Sequence, residues 1–151
     1  MALEPAPPPA DVNLADLAAR IAGANLELRA LEAELIDEGL WDVGRLERAV
    51  GRLEHLVARL NDLARYRALV PPARTPTMPA IESPRFAVSR LGNRIHQARN
   101  HAAGTAFPGT ADQRREQLHR LDTLSRRLAE LVSRDAPDAT PSDSAGRPGA
   151  P

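Results

Sequence analysis

The chain has 151 residues, of which 42% are hydrophobic and only 3% aromatic, and its formal net charge is zero. It contains no cysteine, so disulfides and cysteine-ligated metal sites are excluded. A core of Leu, Ala, Val and Ile with so few aromatic residues favours packed helices over sheets.

Both ends of the chain have the composition of disordered segments. Residues 1–11 are rich in Pro and Ala, and residues 135–151 in Pro, Ala, Ser, Asp and Gly. Such segments cannot bury enough apolar surface to offset the entropy of ordering. We therefore expect disordered tails on either side of a helical domain at 12–134. The first ten residues have no basic residue and no apolar run, so no signal peptide is expected.

The first predicted helix begins with Asn13 as its N-cap and ends at Gly39, a candidate left-handed residue. Val12 and Leu17 occupy the positions of a hydrophobic staple. The apolar residues of this helix recur at 3-4-3-4-3-4 spacing, which is typical of a helix that packs along one face. They are Leu14, Leu17, Ile21, Ala24, Leu28, Leu31 and Leu35.

The second predicted helix follows almost at once, so it must fold back on the first as an antiparallel hairpin spanning residues 13–70. Asp42 is its expected N-cap, with Trp41 and Leu46 as a second staple. Residues 71–83 contain four prolines and no helical period. They are therefore predicted to form a semi-rigid linker.

A second hairpin is predicted at residues 84–134. Its first helix starts with Ser83 as N-cap and Pro84 at the first helical position, where the missing N–H group has no cost. Gly104 is expected to end this helix. Its apolar stripe is thin and consists of Val88, Leu91, Ile95, Ala98 and Ala102.

The fourth predicted helix opens with a capping box formed by Thr110 and Gln113 and ends near Ser133. Its apolar residues are Leu118, Leu121, Leu124, Leu128, Leu131 and Val132. The chain as a whole is therefore predicted to be all-α, an up-down bundle of four helices made of a long antiparallel hairpin and a second hairpin.

Charge is unevenly distributed along this chain. Residues 11–40 carry seven acids and two Arg, whereas residues 84–134 carry ten Arg and four acids. Opposite charges beside apolar heptad positions commonly select partners between packed helices. We therefore predict that the first helix packs beside the fourth, within one chain or across a dimer. The candidate interaction residues are Glu27, Glu32, Glu34, Arg120, Arg127 and Arg134.

The Arg-rich second half supports an alternative hypothesis, in which Arg90, Arg94 and Arg99 contact the phosphates of a nucleic acid. Nucleic-acid binders usually have a net basic surface and aromatic residues that stack on bases. This chain is neutral and nearly free of aromatic residues. Nucleic acid is therefore the less favoured partner.

One pattern has the spacing of a metal site. Glu116-x-x-His119 matches the carboxylate-bridged di-iron bundles, which also require carboxylates from the other helices. The third predicted helix has none. The Ser and Thr residues lie in no nucleophile-elbow pattern, and the chain has no glycine-rich phosphate loop. We therefore predict no catalytic, metal-binding or cofactor-binding residues, and no enzyme activity.

The segment Ile95-His-Gln-Ala-Arg-Asn100 resembles the His box of sensor histidine kinases, in which H-x-x-R-N lies on the first helix of a phosphotransfer hairpin. The resemblance implies a phosphotransfer role for His96. The chain departs from the family pattern at His101, where the family has proline, and at Gly104, where the helix ends sooner than in the family.

These patterns favour a non-enzymatic helical interaction or assembly module that self-associates through its heptad faces. Its expected partner is another protein or a second copy of the chain. The alternatives are an Arg-rich nucleic-acid-binding or regulatory protein and, third, a phosphotransfer module. No segment approaches the ~18 apolar residues of a membrane-spanning helix, so we expect no membrane partner and, by elimination, a cytoplasmic location.

Overall fold

The computed structural model describes the backbone of residues 10–37 and 39–146, and the side chains of 14–37, 39–75 and 78–133. Helices account for most of this part of the chain. The elements are α1 (Ala10–Ile36), α2 (Val43–Arg67), a 3-10 helix (Pro72–Thr77), α3 (Arg85–Ala103) and α4 (Ala111–Gly146). The predicted all-α bundle of four helices is confirmed.

Helix α1 begins three residues before the predicted start. Asn13 lies inside the helix and not at its N-cap, because the preceding residues continue the backbone hydrogen bonding at little cost once a helix is nucleated. The helix ends at Ile36, and Gly39 has the predicted positive φ, 116°. A left-handed residue at this point lets the chain reverse towards α2.

Helix α4 continues to Gly146, past the predicted end near Ser133. The prediction placed the end where the apolar periodicity stops, whereas a helix can continue through backbone hydrogen bonds alone. The predicted tails fall partly outside the described residues, at 1–9 and 147–151.

The predicted start of α2 is confirmed. The Asp42 carboxylate accepts a hydrogen bond from the Arg45 backbone N–H at 2.7 Å. Trp41 and Leu46, the two residues of the predicted staple, are both buried. The cap and the staple therefore fix the direction in which the chain enters α2.

The predicted capping box of α4 is also confirmed. The Gln113 N–H donates to the Thr110 hydroxyl at 3.1 Å, and the Thr110 N–H donates to the Gln113 side chain at 2.8 Å. Helix α3 differs slightly from its prediction, since it begins at Arg85 and Pro84 is its N-cap. The Ser83 hydroxyl still accepts a hydrogen bond from the Arg85 N–H, at 3.2 Å.

The segment between α2 and α3 is attached to α1. The buried Asn25 side chain donates to the Ala80 carbonyl at 2.8 Å and accepts from the Glu82 N–H at 3.0 Å. Met78 is buried against the core. The 3-10 helix within this segment is too short to produce a sequence period, and so the prediction contained no helix there.

The order of helices around the bundle is α1, α2, α4, α3. Helix α1 contacts α2 and α3, α4 contacts α2 and α3, and α2 contacts α3 across the centre. Side-chain contacts between the helices show that α1 and α3 are parallel to each other and antiparallel to α2 and α4. The two hairpins therefore pack face to face, and α1 and α4 lie at opposite corners.

The core consists mainly of the predicted apolar residues of α1, α3 and α4 together with nine apolar residues of α2, and Trp41, Val70 and Met78 complete it. The seven predicted apolar residues of α1 are buried or half-buried, and Val132 is the exception in α4, with 50% of its surface exposed. The largest side chains with almost no exposure are Ile21, Leu28, Leu31, Leu35, Leu46, Leu53, Leu91, Ile95, Leu121 and Leu124. The heptad face of α1 is therefore used within the chain.

We predict that Asn25→Ala lowers the free energy of unfolding by about 1–3 kcal/mol, because it leaves the Ala80 carbonyl and the Glu82 N–H without their partner in a partly buried place. Urea denaturation measures this change. The matched control is Asn93→Ala on the exposed side of α3, for which we expect a change within about 0.5 kcal/mol. Equal effects of the two substitutions would contradict the role of Asn25.

Candidate functional site

The acidic row of α1 pairs with basic residues of α2. Glu27 accepts a hydrogen bond from Arg59 at 2.8 Å, and Glu34 accepts one from Arg52 at 2.9 Å. Both acids and both Arg are seven residues apart, so the pairs repeat along the antiparallel α1–α2 contact. All four side chains are between 45% and 57% exposed, and exposed pairs of this kind contribute only ~0.2–1 kcal/mol each.

The basic row of α4 also pairs with α2, along a different face. Arg120 binds Glu47 through two hydrogen bonds, of 2.9 and 2.5 Å. Arg127 binds Glu54 in the same way, at 3.0 and 2.6 Å. Each contact is bidentate, which adds geometric specificity to the charge attraction. The common offset of 73 residues fixes the parallel register of α2 and α4.

The prediction that α1 packs beside α4 within the chain is therefore wrong. Among the described residues the two helices do not contact each other, and Glu27 and Glu34 lie on a different side of α2 from Arg120 and Arg127. The total charge of α2 does not distinguish its two faces. Its Arg residues lie on the face that contacts α1, and its Glu residues lie on the face that contacts α4. The side chain of Arg134 lies outside the described residues.

These contacts shift the pKa values of the paired groups. The hydrogen bond from Arg120 lowers the pKa of Glu47 below its ordinary value, and the same bond raises the pKa of Arg120. The hydrogen bond to Glu54 raises the pKa of Arg127. Both guanidinium groups are charged at any physiological pH, so of these three shifts the one at Glu47 is the one that affects the pH dependence of stability.

Arg94, a predicted phosphate contact, is buried and binds the end of α1. Its guanidinium donates to the carbonyls of Leu35 at 3.1 Å and of Gly39 at 3.1 Å, and also to those of Ile36 and Asp37. The last carbonyls of a helix have no partner within it, and its C-terminal end favours a cation. Arg94 therefore stabilises the fold and is not available to a nucleic acid.

The other two predicted phosphate contacts are dispersed. Arg99 donates to Asp122 of α4 at 2.7 Å. Arg90 is half-buried, with its guanidinium carbon 5.8 Å from the centre of the Phe86 ring. The structure therefore does not bring Arg90, Arg94 and Arg99 together into one exposed basic surface.

Glu32 differs from the other two acids predicted on α1. It makes no hydrogen bond or ion pair with any described residue, whereas Arg29 donates a hydrogen bond to Glu82. Partial burial and the neighbouring Glu82 carboxylate raise the pKa of Glu32, although Arg29 opposes this effect. Two carboxylates thus share the charge of one guanidinium at this edge of α1.

The outward side of α1 carries a second apolar row, which we call the outer ridge. Its two large residues, Leu26 and Ile36, are 66% and 54% exposed. The ridge consists of Ala15, Ala19, Ala22, Leu26, Ala33 and Ile36, all exposed. Together with Arg29 these positions recur at 4-3-4-3-4-3 spacing, so the row was readable in the sequence beside the inner stripe. It extends over about 32 Å of helix.

The described residues bear on the metal and phosphotransfer hypotheses. They contain no group of three or more His, Asp or Glu side chains that could hold a metal ion. His96 is exposed, and its Nε2 lies 3.2 Å from the Asn100 side-chain nitrogen. Within the same part of the chain, no helix is long and apolar enough to cross a membrane.

Comparisons with protein-family models, with curated proteins and with solved structures found no match. Support for a function of this chain therefore comes from its own surface. Other large apolar side chains are also exposed, among them Tyr66 and Leu69 at the end of α2, but the outer ridge of α1 is the row in which such residues recur at heptad spacing along one helix face.

We predict that Glu47 and Arg120 are energetically coupled and that Glu27 and Arg120 are not. A double-mutant cycle with alanine substitutions, measured by urea denaturation, should give about 0.2–1 kcal/mol of favourable coupling for the first pair. The Glu27/Arg120 cycle serves as the control and should give about zero, because distant sites are additive. Coupling between Glu27 and Arg120 would restore the α1–α4 pairing that the structure contradicts.

A second prediction concerns the stability of the fold at acidic pH. Because the folded state lowers the pKa of Glu47, the pairing stabilises the fold above the unfolded pKa of about 4.3 and is lost as the pH falls through the lower, folded value. Glu47→Gln should therefore destabilise the protein at pH 7 and reduce its loss of stability on acidification. Urea titrations at several pH values test this. Glu130→Gln, on an exposed side of α4, should leave the profile unchanged.

Proposed function

We propose that this protein is a non-enzymatic helical interaction module and that the outer ridge of α1 is its binding surface. The observation that carries the proposal is the exposure of Leu26 and Ile36 in a heptad row on a helix whose other apolar face is already buried. A row of exposed apolar side chains along one helix face, interrupted here by Arg29, is typical of protein interaction sites. The proposal includes the cytoplasmic location expected from the sequence.

Self-association was expected through the inner heptad face, which the fold uses in its own core. We therefore place the partner helix on the outer ridge, the heptad row that the core does not use. Its alanines allow close approach of two helix backbones, and Leu26 and Ile36 supply most of the apolar area. Helix-in-groove and helix-on-helix recognition both rely on anchors with this spacing.

Nucleic-acid binding receives less support. Arg94 is buried, and Arg99, Arg120 and Arg127 are paired with carboxylates. Counterion release requires basic side chains that are free to approach phosphates. The phosphotransfer alternative rests on the exposure of His96 alone.

We predict that Leu26→Glu combined with Ile36→Glu abolishes partner binding without unfolding the protein, because both side chains are largely exposed. Proteins captured by the wild-type chain and by the variant are compared, and sedimentation velocity measures self-association in parallel. Val132→Glu is the matched control, since Val132 is similarly exposed on α4. A binding profile that is identical for all three chains would disprove the proposal.

A further inference from the structure

The outer ridge of α1 is bordered by a carboxylate that lacks a cation of its own. Glu32 lies one helical turn before Ile36, so the two side chains are neighbours on the helix surface. Glu32 makes no hydrogen bond or ion pair with the described residues, and Arg29 is bound to Glu82. The apolar row and a negative edge therefore form one continuous surface.

The charges on the two edges of α1 are not equivalent. On the side towards α2, Glu27 and Glu34 are each paired with an Arg. On the side towards α3, Glu32 and Glu82 share Arg29. A negative charge in excess thus lies on the α3 side, next to Ile36 at the end of the ridge.

We propose that the outer ridge binds an amphipathic helix of another protein that carries Arg or Lys on the flank facing Glu32. This inference rests on the proposed function and specifies the partner. A cation placed beside Glu32 would relieve the repulsion between Glu32 and Glu82. The apolar face of the partner would cover Leu26 and Ile36, which are now exposed.

Charge argues against a second copy of the chain as the occupant. An antiparallel contact between the ridges of two copies brings the Glu32 edge of one against the Glu32 edge of the other, and each edge already carries two carboxylates for one guanidinium. Like charges across an interface oppose association, whereas opposite charges speed it and select the correct partner. A basic helix satisfies both the apolar and the electrostatic character of the surface.

Three synthetic helical peptides test the proposal with the full-length protein. The basic probe has an Ala/Leu heptad stripe flanked by Arg, and the acidic probe has the same stripe flanked by Glu. A scrambled probe keeps the composition of the basic probe without the stripe. Fluorescence anisotropy at about 150 mM salt, where interactions between distant charges are screened, measures their affinities.

The basic probe should bind at least about tenfold more tightly than either of the others, a difference of ~1.4 kcal/mol. Leu26→Glu should abolish its binding. Glu32→Gln should weaken it about threefold to tenfold, whereas the control Glu130→Gln on α4 should have no effect. Circular dichroism of each variant verifies that the helices remain intact.

The alternative outcomes separate this inference from the proposed function. Equal binding of the basic and acidic probes would overturn the charge assignment and leave the ridge as an interaction surface. Absence of probe binding together with self-association that depends on Leu26 would identify a second copy as the occupant. Absence of both would overturn the proposed function as well.

Discussion

The position of α3 against α1 decides where the other helices lie. Arg94 binds the carbonyls that end α1, and Asn25 binds the segment that leads into α3. Those carbonyls lie at the negative end of a helix dipole and have no partner within the helix. The guanidinium thus supplies both hydrogen bonds and charge in a buried place. With α3 held against α1, α4 packs on the other side of the bundle, against α2 and α3, and α1 and α4 do not contact each other within the described part of the chain.

This arrangement explains the uneven charge of the sequence. Helix α2 lies between the acidic α1 and the Arg-rich α4, and it presents Arg52 and Arg59 to the first and Glu47 and Glu54 to the second. Individually these exposed pairs stabilise the fold weakly. Collectively they disfavour other arrangements, because exchanging the neighbours of α2 would place like charges together. The charge rows therefore act mainly on the choice of helix neighbours.

Sequence periodicity was sufficient to predict the helices, but it was not sufficient to predict which helices contact each other. The inner stripe of α1, the N-cap Asp42 and the capping box at Thr110 were predicted correctly because each depends on residues within one turn or one helix face. The α1–α4 contact was predicted wrongly because it depended on summed charge, which does not record the face on which each residue lies. The buried role of Arg94 depends on where α3 crosses the end of α1, and no local pattern encodes that crossing.

The outer ridge is the part of α1 that the fold does not explain. Alanine has the highest helix propensity of all residues, so Ala15, Ala19 and Ala22 would be expected on an exposed face in any case. Helix propensity does not explain Leu26 and Ile36 in the same way, because polar residues of similar helix propensity are better solvated at an exposed position. The buried stripe already provides the apolar contacts of α1 with α2 and α3. The proposed function accounts for them, because a helix of another molecule packed on the ridge would cover two large apolar residues that lie in heptad register with these alanines.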